Sequence, residues 1–269
     1  MKEQTVWITG ASSGIGWALA QAYNHAGAFV IISARRVSLL EELRKSLANP
    51  ERCLIIPLDL EQHQHSQQWV SDALQATGNI DILINNGGIG HLGSVQTMDL
   101  QIEKKVMEVN LWGSVALTKA VLPHMVRNNK GQIWTVASIL GYFGSPRLAA
   151  YAASKFGIVG YFESLQYEMK NTDIHIGILS PGFINTNVTL NSLGPEGEPI
   201  GKNSAAQEKG MHPDELARIF LKTSKRNNPP RQVFIGGYET FSIPFKRLAP
   251  ALFFFIYGKL TDITRKKKS

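Results

Sequence analysis

The chain is expected to form an α/β domain, a parallel sheet with helices on both faces. Three observations predict it. Apolar runs of strand length alternate with longer helix-patterned segments. Several of those runs are continuously apolar, as suits parallel strands covered on both sides. The 269 residues show no internal repeat or compositional break, and one large core in a single domain accommodates them.

The candidate strands, in order, are Val6–Thr9, Phe29–Ser33, Leu54–Leu58, Ile82–Asn85, Ile133–Ser138, Ile174–Ser180 and Gln232–Ile235. Helical patterns near 15–26, 38–48, 63–77, 99–127, 149–171 and 212–225 lie between them. Residues 187–210 depart from this rhythm, because Gly194, Pro195, Gly197, Pro199 and Gly201 leave no clear periodicity. A loop that long in a compact domain is usually functional or mobile. Its place after Pro181-Gly182 suggests a substrate lid, and a tolerated surface insertion is the alternative. The main domain is placed at 1–240, followed by a basic, apolar extension at 241–269.

Bulk properties exclude several classes. Hydrophobic residues at 43% and charged residues at 18% describe a soluble globular chain, not a disordered one. The single cysteine, Cys53, rules out an intramolecular disulfide and suits a reducing compartment. In the run Cys53-Leu54-Ile55-Ile56 it reads as a small buried hydrophobe. The net charge of +7 is uneven: residues 1–221 hold 17 Lys/Arg against 19 Asp/Glu, and residues 222–269 hold 11 against 2. Those basic residues mostly flank a short apolar stretch instead of covering a folded face, which argues against nucleic acid. Met1 leads straight into a strand without a secretory signal, and no apolar run can span a bilayer. A cytoplasmic protein is expected. The seven histidines show no metal-ligand grouping, so no metal is expected, and His63 and His65 are expected to face solvent.

Chemistry begins after the first strand. In Thr9-Gly10-Ala11-Ser12-Ser13-Gly14-Ile15-Gly16, Gly10 permits a sharp turn, and Gly14 and Gly16 let a ligand approach the backbone. The helix start that follows offers free N–H groups and a positive dipole end to a pyrophosphate. The second strand ends in Ser33-Ala34-Arg35-Arg36, where an acidic residue would accept bonds from a ribose 2′-hydroxyl. Two guanidinium groups there suit a 2′-phosphate instead, so NADP(H) is predicted over NAD(H). Asp59-Leu60 after the third strand could meet the adenine, and Asn85-Asn86-Gly87-Gly88 after the fourth could pass beside the cofactor. All of these positions fall at carboxyl ends of strands, where open α/β sheets bind ligands.

Tyr151 and Lys155 are four residues apart, and Tyr151 follows Ser138 by thirteen. Positions i and i+4 share a helix face, which brings the Lys155 ammonium near the Tyr151 phenol. A neighbouring cation favours the phenolate, the tuning that a general acid/base needs.

Over nearly its whole length the chain resembles the short-chain dehydrogenase/reductase family, through the Thr9–Gly16 turn, Asp59, Asn85-Asn86-Gly87, Asn110, Ser138, Tyr151, Lys155 and Pro181-Gly182. It departs from the usual Asn-Asn-Ala-Gly by carrying Gly87, and its basic apolar tail is longer than the family pattern requires. The resemblance implies a single Rossmann-type domain with a seven-stranded parallel sheet, NAD(P)(H)-dependent oxidoreduction, and a homodimer or homotetramer. It implies that Ser138 stabilises the substrate oxygen, that Tyr151 exchanges the proton, and that Lys155 lowers the Tyr151 pKa and holds the nicotinamide ribose. It implies further that Asn110 fixes a relay water, and that Ile184 and Thr186, beyond Pro181-Gly182, bind the carboxamide. A non-catalytic NADP(H)-binding sensor or scaffold is the rival class; the intact set Asn110, Ser138, Tyr151 and Lys155 argues against it.

His91, Leu140, Phe143 and Val188 are candidate substrate contacts beside Ser138. Their largely apolar loops favour a lipophilic carbonyl or alcohol, and His91 is either a substrate contact or a satisfied loop histidine. In the tail, Phe253–Tyr257 lies between basic flanks. It is expected either to rest peripherally on anionic lipid through residues 243–269 or to pack against a partner subunit.

Overall fold

The computed structural model describes residues 4–266, with side chains through residue 261. The basic run Arg265-Lys266-Lys267-Lys268 therefore lies outside the described side chains. Strands β1 (Thr5–Thr9), β2 (Phe29–Ser33), β3 (Cys53–Ile55), β4 (Ile82–Asn85), β5 (Gly131–Val136), β6 (Ile174–Pro181) and β7 (Gln232–Ile235) form one sheet. Their order is β3-β2-β1-β4-β5-β6-β7 and every pairing is parallel. The direction of winding reverses between β1 and β4, which opens a crevice at their carboxyl ends.

Helices cover both faces. On one side α1 (Gly14–His25), α2 (Val37–Ser46) and α8 (Pro213–Ser224) bury Leu19, Tyr23, Leu40, Leu43, Leu216 and Phe220 against the sheet. On the other, α3 (Ser66–Thr77), α5 (Gly113–Asn128) and α6 (Ala149–Glu168) bury Val70, Leu117, Val121, Ile158 and Phe162. Trp134 on β5 is fully buried, lying edge-on to Phe220 at 4.9 Å. These strands are apolar on both faces because both faces are core, as the continuous runs predicted.

Three boundaries differ from expectation. The third strand was expected to reach Leu58, but it ends at Ile55. Ile56 and Leu58 still donate to Ile32 and Ala34, and Pro57, having no N–H, interrupts the regular ladder. The helix expected from residue 63 starts at Ser66, after 3₁₀ turns over Leu60–His65. Those turns bring His63 Nε2 to Glu108 at 2.9 Å, so His63 is paired instead of simply solvated, whereas His65 is exposed. The helix expected over 99–127 is α4 (Leu100–Met107), a π-helical turn over Glu108–Trp112, and α5. Such a turn inside a helix commonly marks a functional site, and this one carries Asn110.

Beyond β7 the chain forms α9 (Ser242–Leu248) and α10 (Pro250–Lys266). Phe253 is 3% exposed and stacks on Tyr257 at 5.3 Å, and both rings contact Phe143. Tyr257 donates to Ser145 at 3.0 Å, and Lys246 Nζ donates to the Tyr142 carbonyl at 2.6 Å. Phe253 and Tyr257 thus pack on the chain's own loop after Ser138, which corrects both expectations for these two rings. No helix among the described residues is long and apolar enough to cross a membrane.

Candidate active site

The crevice floor is a set of interlocked backbone turns. The Thr9 hydroxyl accepts from Asn86 N at 3.0 Å and Gly87 N at 2.9 Å, while Asn86 Nδ2 donates to the carbonyls of Thr9 at 2.9 Å and Gly10 at 3.3 Å. Asn86 was expected among the cofactor contacts; its amide instead holds the glycine turn. Gly10 has φ +66°, and a Cβ there would lie 2.7 Å from Gly87 Cα. A Cβ on Gly16 would overlap the Gly10 carbonyl.

At the start of α1 the Ser13 side chain makes no capping bond, which leaves the first N–H groups open to an anion. The bare cradle and these donors fit a dinucleotide pyrophosphate. Arg36 at the start of α2 donates to Ser12 Oγ at 3.2 Å, and both Arg35 and Arg36 are exposed. Asp59 uses one oxygen to cap Glu61 N at 3.1 Å. Leu60 is 6% exposed, wedged where Cβ atoms on Gly87 and Gly113 would otherwise sit. Its side chain therefore belongs to the core, a correction to its expected place beside the cofactor.

Next to the cradle stand the residues of the proposed proton path. Ser138, just past the end of β5, accepts from Leu140 N at 3.1 Å, and its hydroxyl lies near enough to Tyr151 to act on the phenol's pKa. Lys155 is 5% exposed; its Nζ donates to Val136 O at 2.8 Å and lies 5.7 Å from the centre of the Tyr151 ring. Burial draws the Lys155 pKa down to about 8. Burial also raises Tyr151, opposed by the nearby Ser138 hydroxyl. The expected lowering of Tyr151 by Lys155 is not present in this arrangement, where Lys155 bonds a carbonyl. A Cβ on Gly88 would sit 3.0 Å from Asn110 Oδ1 and 3.8 Å from Lys155 Nζ, so the bare Gly88 faces both. The Asn110 carboxamide is occupied by Ile89 N at 2.7 Å, Ile89 O at 2.9 Å and Ser154 Oγ at 3.1 Å. It orders the loop leaving β4.

Sequence reasoning assigned no role of their own to Thr9, Ser154, Glu239 or Gln207. Thr9 organises the glycine turn. Ser154 joins Asn110 to the Tyr151 carbonyl at 2.7 Å; its signal was a polar side chain between Tyr151 and Lys155. Glu239, after β7, is 9% exposed and accepts from Phe183 N at 2.7 Å. Gly182 was expected to serve the cofactor, but its N–H donates to Ile235 O at 2.9 Å and a Cβ there would overlap Glu239. Farther along, Gln207 on α7 (Ala205–Glu208) donates to Ile184 O and, at 3.3 Å, to Thr186 Oγ1. A Cβ on Gly14 would meet Thr186 Cγ2 at 3.0 Å, so Thr186 borders the cradle.

The expected substrate contacts divide. Leu193 bridges to His91, stitching residues 187–210 to the loop after β4. His91 is fully buried with no partner for either ring nitrogen among the described residues, and burial lowers its pKa. Val188 is 39% exposed. Leu140 and Phe143 join the cluster that holds the tail; Phe143, at 3% exposure, is a support for α10, not an open pocket wall. Among the described residues no group of metal-ligating side chains occurs.

Comparison with known proteins agrees with this geometry. The sequence profile described as short chain dehydrogenase matches residues 4–195. The Dehydrogenase/reductase SDR family protein 7-like of Drosophila melanogaster is 38% identical over 264 residues, covering 95% of this chain and 80% of that protein. Among solved structures, a short-chain dehydrogenase from Streptomyces avermitilis superposes with TM-score 0.82 at 25% identity, covering 98% of this chain and 99% of its own. An alcohol dehydrogenase from the archaeon Thermococcus sibiricus, complexed with 5-hydroxy-NADP, gives 0.76 at 24% identity, covering 88% and 97%.

Proposed function

The chain belongs to the short-chain dehydrogenase/reductase family, oxidoreductases acting on CH–OH groups, and from that premise we propose that it interconverts a hydrophobic ketone or aldehyde with its alcohol, using NADP(H). The observation that carries the reading is buried Lys155 beside the Tyr151 ring, with Ser138 close to the phenol, at the edge of a glycine cradle.

When bound, the reduced nicotinamide supplies the hydride. The open N–H groups of Gly14, Ile15 and Gly16 would hold the pyrophosphate, and Arg35 and Arg36 the 2′-phosphate. Pro181, Ile184 and Thr186 would hold the carboxamide end. Ser138 donates to the substrate oxygen and stabilises its growing charge. Tyr151, part of whose surface is exposed, delivers the proton. Lys155, its pKa brought to about 8 by burial, resupplies that proton. Val188 and Leu140 would supply apolar contacts to the substrate.

On α10, Leu252, Phe254 and Phe255 are 51%, 61% and 60% exposed, with Lys259 beside Phe255. This outward face supports peripheral contact with an anionic lipid surface. Co-sedimentation with phosphatidylserine vesicles tests it: Leu252→Glu with Phe255→Glu should abolish binding.

A panel of steroids, long-chain ketolipids, retinoids and small quinones, run with NADPH and with NADH, tests the main reading. Oxidation of NADPH by an apolar carbonyl is expected. Absence of turnover across the panel would favour a cofactor-binding scaffold.

A further inference from the structure

We propose that Glu239 is a positioning residue for the nicotinamide end of the site, acting through the loop that carries Ile184 and Thr186. The inference rests on the cofactor reading above. Glu239 lies in the turn Tyr238–Phe241, where Tyr238 and Phe241 are 86% and 72% exposed but Glu239 turns inward and is 9% exposed. Burying a carboxylate is costly without charge-assisted bonds. Here Oε1 accepts from Phe183 N at 2.7 Å and Gly237 N at 3.0 Å.

Three glycines leave the room. A Cβ on Gly182 would overlap the carboxylate; on Gly236 it would come within 2.8 Å of Oε1, and on Gly237 within 2.8 Å of Oε2. Gly182 N also donates to Ile235 O at 2.9 Å. The ends of β6 and β7 thus grip the residue immediately before Ile184, and the loop leaves the sheet along one fixed path.

Calorimetric titration with NADP+ and with 2′-phospho-ADP-ribose, the same molecule without its nicotinamide, tests this. Glu239→Ala should weaken NADP+ about tenfold and leave the fragment within about twofold. Glu239→Gln, which keeps an acceptor, should stay within about threefold of wild type for both ligands. If Glu239→Ala does not fold, Glu239→Asp, which withdraws the carboxylate by one methylene, should show the same selective loss in smaller measure. Equal weakening of both ligands, or of neither, overturns the proposal. A wild-type chain that binds neither overturns the cofactor reading itself.

A second inference stands on separate hydrogen bonds. The geometry points to Gln207 as an internal stand-in for the nicotinamide carboxamide. Its side chain is itself a primary carboxamide, and Nε2 donates to Ile184 O and Thr186 Oγ1, the two groups assigned above to the cofactor's amide. Gln207 sits on the short helix of the 187–210 segment, capped by Ser204 Oγ at 3.2 Å. When the nicotinamide enters, the Gln207 side chain must leave. The same titrations read this with the opposite sign: Gln207→Ala should bind NADP+ about threefold more tightly with the fragment unchanged. Weaker or unchanged NADP+ binding would show Gln207 to be a brace for the loop and overturn the inference.

Discussion

The two halves of the sheet's carboxyl edge are built differently. Around β1 and β4, the Thr9 and Asn86 side chains bond main-chain groups of the facing turns, and Gly10 and Gly87 meet through bare Cα positions. Around β5 to β7, the loop after Ser138 is propped by aromatic side chains from α10, with Phe143 against Phe253 and Tyr257. The first half tolerates almost no change because backbone meets backbone. In the second, the loop after Ser138 is held by apolar contact, which yields more readily, while the ends of β6 and β7 are held by the Glu239 carboxylate.

Breaking the first half should have the largest effect. Gly10→Ala places a side chain at φ +66° and drives a Cβ to 2.7 Å from Gly87 Cα. It should cost about 3 kcal/mol in urea unfolding and abolish NADP+ binding. An unchanged unfolding midpoint would mean the turns are not interlocked. Next, removing both guanidinium groups with Arg35→Ala and Arg36→Ala should lower kcat/KM for NADPH about 30-fold and leave NADH nearly unaffected. Equal losses with both cofactors would refute the 2′-phosphate assignment.

The second half should yield more locally. Phe253→Ala should weaken tail docking by about 3 kcal/mol. Amide exchange should then accelerate in 139–145 and 242–261, and KM should rise for the carbonyl but not for NADPH. Uniform protection in the variant would mean α10 is not anchored by that ring. The smallest effect is expected at His175, which packs on Trp134 at 4.9 Å and whose pKa is lowered by burial, with help from Arg231, from 6.5 to about 4. The unfolded chain takes up this proton below pH 6.5 and the folded chain does not. Stability should therefore be level above pH 6.5 and decline toward pH 4, and His175→Gln should flatten part of that decline in thermal melts.

Legibility in the sequence follows the same division. The strands and the glycine turn could be read because backbone geometry dictates residue type: β-branched and apolar runs for doubly covered strands, glycine where φ is positive or chains touch. Pro57 marked the end of the β3 ladder in plain view, yet the apolar run around it masked the signal. The Tyr151–Lys155 pairing was legible from helical spacing and the place of Ser138 from the family resemblance, and the structure brings the three near one another. Phe143 was misplaced because its partners Phe253 and Tyr257 lie far along the chain, and no local periodicity connects them. Glu239 left no trace for a related reason. A single carboxylate after two glycines looks like any solvated loop residue until β6 and β7 are set side by side.

The central claim is that Tyr151 delivers the proton and Lys155 resupplies it. The direct measurement is carbonyl reduction by NADPH against pH in the wild type and in Tyr151→Phe, with cofactor binding followed in parallel by fluorescence. Since burial sets Lys155 near pH 8, the wild-type rate should be level below that value and fall above it, as the ammonium is lost. Tyr151→Phe should bind NADPH normally and lose at least about 1,000-fold in kcat. Turnover that persists undiminished in Tyr151→Phe, with the same pH profile, would contradict the account.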